Sequence, residues 1–257
     1  MSEYHKAKRT RNLFNKNDVK RYRLSRSKID LFLACPRCFY LDRKLGIGRP
    51  PGFPFNLNSA VDALLKKEFD QHRVSGTVHP LVKNFGLDLV PFKHEFIEEW
   101  RDSLRRGITY EVLDTNITLT GGVDDVWVNP TTEEITIVDY KATSKNGEVN
   151  LDADWQIGYK RQMEIYQWLF RQNGFKVSKT GYFVYCNGKT DNEAFDSKLE
   201  FDIKLLPYDG DDSWVESAVI DAYKVLCSET VPLGIEDCDY CGYYEARKEE
   251  DNENNTR

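Results

Sequence analysis

The stretch GGVDDVWVNPTTEEITIVDYK, residues 121–141, decides how this chain is read. Asn129-Pro130-Thr131-Thr132-Glu133 has the composition of a turn, and the flanks have that of strands. A turn centred between Thr131 and Thr132 sets Asp124 opposite Asp139, Val126 opposite Ile137 and Val128 opposite Ile135. Opposed side chains lie about 5 Å apart, and Lys141, two residues beyond Asp139, shares its face. One face therefore runs from Val/Ile pairs to Asp124, Asp139 and Lys141. The other carries Trp127, Thr136, Val138 and Tyr140, so the sheet is expected to be covered on both sides.

Two carboxylates opposed at the end of an apolar face repel each other and need a cation to stay ionised. Oxygen ligation at that spacing suits Mg²⁺ or Mn²⁺, which keep waters for a substrate phosphate. A lysine beside such an ion stabilises transition-state charge on the phosphate. The same residues also read as an Asp–Lys surface pair near a strand end.

Outward from the hairpin, ITYEVL (108–113) and TGYFVYC (180–186) continue the strand pattern, with KLEFDIKLL (198–206) after them. A long helix is predicted over 152–173, ending at Asn173-Gly174, and another near 211–228. Towards the N-terminus, Ser25 or Ser27 can cap a helix that Pro36 interrupts. Gly46 to Pro54 is a turn-rich loop. Asn58 or Ser59 can cap a helix with Val61, Leu64, Leu65 and Phe69 on one face. A further helix is predicted around 93–106. The order is that of one mixed α/β domain. Its predicted bounds are 24–244, with a basic flexible arm over 1–23 and an acidic disordered tail over 245–257. On the long helix Gln162 and Tyr166 are four apart and share a face.

These residues together resemble the PD-(D/E)XK nuclease superfamily, specifically its RecB-like exonuclease branch. The resemblance spans about 25–241. It rests on Gly121-Gly122-Val123-Asp124, Asp139-Tyr140-Lys141 and Gln162-Met163-Glu164-Ile165-Tyr166, in that order. Ser25-x-Ser27 with Cys35-Pro36 also looks like the opening of such domains. The resemblance implies a restriction-endonuclease-like core, a mixed central sheet flanked by helices. It implies that Asp124, Asp139 and the Tyr140 carbonyl bind the metal, that Lys141 is the catalytic lysine, and that Gln162 and Tyr166 support the site or the DNA. Where the branch carries a metal-binding histidine on its early helix, this chain has Asp62. Aspartate is a suitable ligand for a hard cation. Glu68 and His72 fall on the same stripe and are its rivals.

Cys35-x-x-Cys38 and Cys238-x-x-Cys241 can each give two thiolates to one ion, clipping the N- and C-terminal segments together. Taken alone, the two pairs indicate Zn²⁺. The family resemblance implies a [4Fe–4S] cluster, although there one early cysteine joins three late ones. Cys186 and Cys227 read as core thiols.

The whole chain has 257 residues, 40 % of them hydrophobic and 13 % aromatic, which excludes a mainly disordered chain despite a charged fraction of 30 %. Its net charge is −6, but residues 1–28 carry +8, leaving −14 for the rest. A basic arm on an acidic body suits phosphate binding; it also reads as a solvated terminus. No apolar run reaches the roughly 18 residues that span a bilayer, so no membrane partner is expected. Positive charge at the N-terminus has no apolar stretch behind it, so no secretory signal is expected and the cytoplasm is the expected compartment. Six cysteines there are thiols or metal ligands rather than disulfides.

The expected function is a metal-dependent DNA nuclease, an exonuclease hydrolysing phosphodiester bonds with a metal-activated water. Its substrate is single- or double-stranded DNA with ends, and its expected partners are other repair or recombination proteins. The alternatives are a non-catalytic nucleic-acid-binding module that keeps the fold, and a zinc-stapled protein-interaction domain.

Overall fold

A computed structural model describes residues 8–52 and 55–255. The first seven residues of the predicted arm, the Phe53-Pro54 end of the turn-rich loop and the last two residues of the tail lie outside them. In chain order the elements are β1 (Tyr22–Ser25), α1 (Arg26–Ala34), α2 (Pro36–Arg43), α3 (Asn56–Ser75) and α4 (Pro80–Asn84). There follow β2 (Val90–Pro91), α5 (Ile97–Arg101), β3 (Ile108–Val112), β4 (Ile117–Gly121), β5 (Asp125–Val128) and β6 (Ile135–Thr143). A 3₁₀ turn, Asp154–Gln156, leads into α6 (Ile157–Gln172), then β7 (Thr180–Gly188), β8 (Phe201–Asp209), α7 (Val215–Cys227) and α8 (Asp239–Asn255). They fall into two compact units, each made of separated segments. One takes 8–52, Glu111–Leu119 and 216–255; the other takes 55–110 and Thr120–Val215.

The second unit is built on the sheet β2-β5-β6-β7-β8. The hairpin has the register its sequence predicts, with Val126 opposite Ile137 and Val128 opposite Ile135. β6 and β7 are parallel and the other neighbours antiparallel. Parallel pairing needs a crossover connection, and α6 supplies it. The sheet is mixed and covered on both faces. On one face, Leu65 and Phe69 of α3 join Trp127, Val138, Tyr140, Val184, Cys186 and Leu205 in a buried cluster. Phe69 stacks on Trp127 at 5.1 Å and on His79 at 4.2 Å. On the other face lie Val126, Ile137 and Phe183, fully buried, with Met163, Tyr166 and Leu169 of α6.

In the first unit, Pro36 ends one helix and opens the next as the residue after its cap, where its missing N–H costs nothing. β1 pairs with β4, in the sheet β1-β4-β3. Two expectations change here. Residues 9–22 are not a free arm. The Arg9 and Phe14 amides donate to the Gly46 and Arg43 carbonyls at 2.8 Å each. The Phe14 ring is buried edge-on against Tyr22 and Tyr223. The acidic run after 245 is helical to Asn255, as the end of α8.

Other boundaries shift for local reasons. α3 starts at Asn56 with no side-chain cap. Ser59 Oγ donates back to the Phe55 carbonyl at 3.2 Å, and Asn58 Nδ2 donates to the Ala142 carbonyl at 2.6 Å. The helix predicted over 93–106 is only Ile97–Arg101. It stops where Asp102 Oδ1 accepts from the Leu104 and Arg105 amides, a local bond that competes with helix continuation.

Candidate active site

The carboxylate end of the hairpin opens into a cleft of about 290 Å³ lined by Asp62 and Leu65 of α3, Asp124, Tyr140, Lys141 and Tyr159. Asp124 directly precedes β5, and its Oδ2 accepts the Tyr140 backbone N–H at 2.9 Å, which fixes the carboxylate against β6. Asp139 is fully buried. Its Oδ1 accepts from Gln162 Nε2 at 2.7 Å, and that amide also reaches the Tyr166 hydroxyl at 3.3 Å. The Gln162/Tyr166 pair of α6 is thus brought onto Asp139. Lys141 forms an ion pair with Asp139 Oδ2 and lies 4.5 Å from the centre of the Tyr159 ring. Burial works against its charge, but Asp139 and Asp124 outweigh that and raise its pKa.

Asp62 enters the cleft beside Asp124; its rivals do not. Glu68 is an exposed partner of His79 at 2.8 Å, and His72 bonds Thr77 at 2.9 Å. Burial, and next the Asp124 charge, raise the Asp62 pKa, while Lys66 and Arg101 hold it down. Its Oδ2 meets Lys66 Nζ at 2.9 Å, and the same ammonium lies 3.4 Å from Asp124 Oδ1. Asp62 Oδ1 is buried without a hydrogen-bond partner among the described residues. An acceptor carboxylate oxygen left so beside a second carboxylate suits a hard cation. Asp62 and Asp124 therefore offer carboxylate oxygens suited to Mg²⁺ or Mn²⁺, with Lys66 and Lys141 as resident counter-charges; held by these lysines, the oxygens of Asp62, Asp124 and Asp139 do not gather within 4.8 Å of one another.

Lys66 was not singled out by the sequence, although it lies one helical turn beyond Asp62. Nor was Asp125. It is fully buried and accepts from Arg73 Nη2 at 2.5 Å, Arg101 Nη2 at 3.1 Å, Trp127 Nε1 at 3.3 Å and the Tyr140 hydroxyl at 2.7 Å. This network holds the strand residue between Asp139 and Lys141 from the opposite face. The available signal was position: Asp125 alternates onto the Trp127 face, where a charge must find buried partners.

Four cysteines form a second cluster, in the first unit. Cys35, Cys38, Cys238 and Cys241 are buried, and their sulfurs all lie within 4.8 Å of one another. Among the described residues no other set of three or more His, Cys, Asp or Glu ligand atoms comes that close. Cys186 sits in the core of the second unit, where burial pushes its thiol up to about 11.

A mixed sheet with helices on both faces and a carboxylate–lysine cluster at the end of its central hairpin defines a nuclease-type fold. A family model of the PD-(D/E)XK nuclease superfamily matches residues 54–246, and the chain belongs to that superfamily. No curated protein matches. Among solved structures the chain is similar to "Crystal structure of SSO0001", with 10 % identity over 81 % of this chain and 78 % of that one, at a TM-score of 0.31. That likeness is too weak to carry an argument. No helix among the described residues is long and apolar enough to cross a membrane.

Proposed function

We propose that this protein is a metal-dependent DNA exonuclease of the RecB-like branch, acting on single- or double-stranded ends. The observation that carries the reading is the cleft, in which Asp62 and Asp124 converge beside Lys141 and a buried Asp62 oxygen has no donor among the described residues. The exonuclease assignment rests on the likeness of the three motifs to that branch. Six unpaired cysteines support a cytoplasmic setting.

In this reading Asp62, Asp124, Asp139 and the Tyr140 carbonyl hold a divalent cation, which supplies Lewis acidity at the phosphate. Gln162 orients Asp139, and Tyr166 orients Gln162. Lys141 brings an ammonium to the charge that develops on the phosphate. Lys66 favours a second reading, in which its ammonium takes the cation's place and the fold binds nucleic acid without cutting.

The test is purified protein on end-labelled linear and circular DNA, with Mg²⁺, Mn²⁺ or EDTA. The expected result is degradation of linear DNA that requires metal and spares circles. Asp139→Ala and Lys141→Ala should each lower the rate by at least about 10²-fold, with DNA affinity little changed because phosphate contacts carry it. Asp62→Ala should raise the Mn²⁺ concentration for half-maximal cutting, and Glu68→Ala should not. Wild-type cutting by Asp139→Ala, or in EDTA, would overturn the reading. DNA binding without cutting under every metal would establish the second.

A further inference from the structure

The four sulfurs are spaced for one ion. Cys35 Sγ lies 3.7 Å from Cys241 Sγ, and Cys38 Sγ lies 3.6 Å from Cys238 Sγ and 3.8 Å from Cys241 Sγ. A metal with four thiolates at about 2.3 Å in a tetrahedron puts them about 3.8 Å apart along each edge. A [4Fe–4S] cube sets each thiolate outside its own iron. With iron–thiolate bonds of about 2.3 Å and iron–iron edges of about 2.7 Å, the four sulfurs stand about 6.5 Å apart. The observed spacing matches the first figure, and all four sulfurs stay within 4.8 Å. The cluster implied by the family resemblance does not fit here.

From this spacing we infer that the four cysteines form a closed, mononuclear zinc site, a structural clip without redox chemistry. The surroundings agree. Each pair is a Cys-x-x-Cys unit, and the Cys38 backbone N–H points at Cys35 Sγ at 3.5 Å. Arg49 donates to Cys238 Sγ at 3.4 Å while stacking on Tyr240. Four thiolates and one Zn²⁺ carry a net charge of −2, which N–H donors and a guanidinium offset. Gly234 passes so close that a Cβ there would stand 3.0 Å from Cys241 Sγ, so the chain closes over this sulfur only because the residue has no side chain. All four positions are taken by protein, the mark of a structural rather than a catalytic zinc. This inference is independent of the nuclease reading.

The test is metal analysis and spectroscopy on the full-length protein, purified anaerobically from cells supplied with both iron and zinc. The expected result is a colourless protein with about one zinc per chain. Exchange with Co²⁺ should give the visible bands of tetrahedral cobalt–thiolate at about 650–750 nm. X-ray absorption at the zinc edge should show sulfur neighbours at about 2.3 Å and no metal neighbour. Cys35→Ser and Cys238→Ser should each lower zinc content; if either variant does not fold, the wild-type spectra decide alone. A brown protein with about four irons per chain and broad absorption at about 400 nm would overturn the inference. Four titratable thiols with no bound metal would overturn it equally.

Discussion

Asp124 and Asp125 are neighbours in the chain and opposites in the fold. Strand alternation sends one into the cleft and the other beneath the sheet, among two arginines, an indole and a phenol. Asp42 shows what the N-terminal positive charge does. Its carboxylate is 5 % exposed and meets Arg9 Nη2 and Lys28 Nζ at 2.8 Å and Arg43 at 2.9 Å. Burial alone would raise its pKa, but Arg43 and Lys28 outweigh it and hold the pKa below the ordinary carboxylate value. A carboxyl depressed in the folded state adds stability that is present above its unfolded pKa and lost as pH falls through its folded one. Asp42→Asn should therefore cost about 1–3 kcal/mol near neutrality. In thermal melts the deficit should shrink steadily below about pH 4. An equal deficit at neutral and strongly acid pH would contradict this role.

At the scale of elements, the glycine that opens the first motif has a steric reason. A Cβ on Gly121 would stand 2.5 Å from Tyr166 Cε1 and 3.1 Å from Leu169 Cδ1. The end of β4 and the middle of α6 approach so closely because there is no side chain between them. The same approach sets Tyr166 where its hydroxyl meets Gln162, which in turn bonds Asp139. Gly121→Ala must displace the Tyr166 ring or the helix. We expect a loss of about 1–3 kcal/mol from overpacking, measured by chemical denaturation. A Gly121→Ala, Tyr166→Ala double variant should lose less than the two single losses added, because removing the ring removes the clash. Strict additivity would show that the close approach carries no weight.

At the scale of the molecule, the cysteine clip joins the first and last segments of the first unit across about 200 residues of chain. Cross-linking so long a loop restricts the unfolded chain, and ligand binding adds its own free energy to folding. Cys238→Ser should lower the melting temperature. Hydrogen exchange should locate the loss of protection in α1, α2 and residues 228–245, while the β6–β7–β8 ladder of the second unit stays protected. Uniform loss of protection over both would mean that the clip governs the entire chain.

The sequence by itself determined what depends on short range and periodicity. Turn composition and strand alternation set the hairpin register, and so the common face of Asp124, Asp139 and Lys141. Helical spacing put Gln162 and Tyr166 on one side of α6, and Pro36 divided α1 from α2. The early-helix acid could be narrowed to Asp62, Glu68 or His72, since helical phase restricts direction but not what lies opposite. Tertiary structure decided what depends on residues far apart in the chain. It put Asp62 beside Asp124 and turned Glu68 to His79. It buried Asp125 between arginines from α3 and α5, and packed residues 9–22 against their own unit. It also set the spacing between the two cysteine pairs, because a distance between segments some 200 residues apart is fixed by packing and leaves no trace in local pattern.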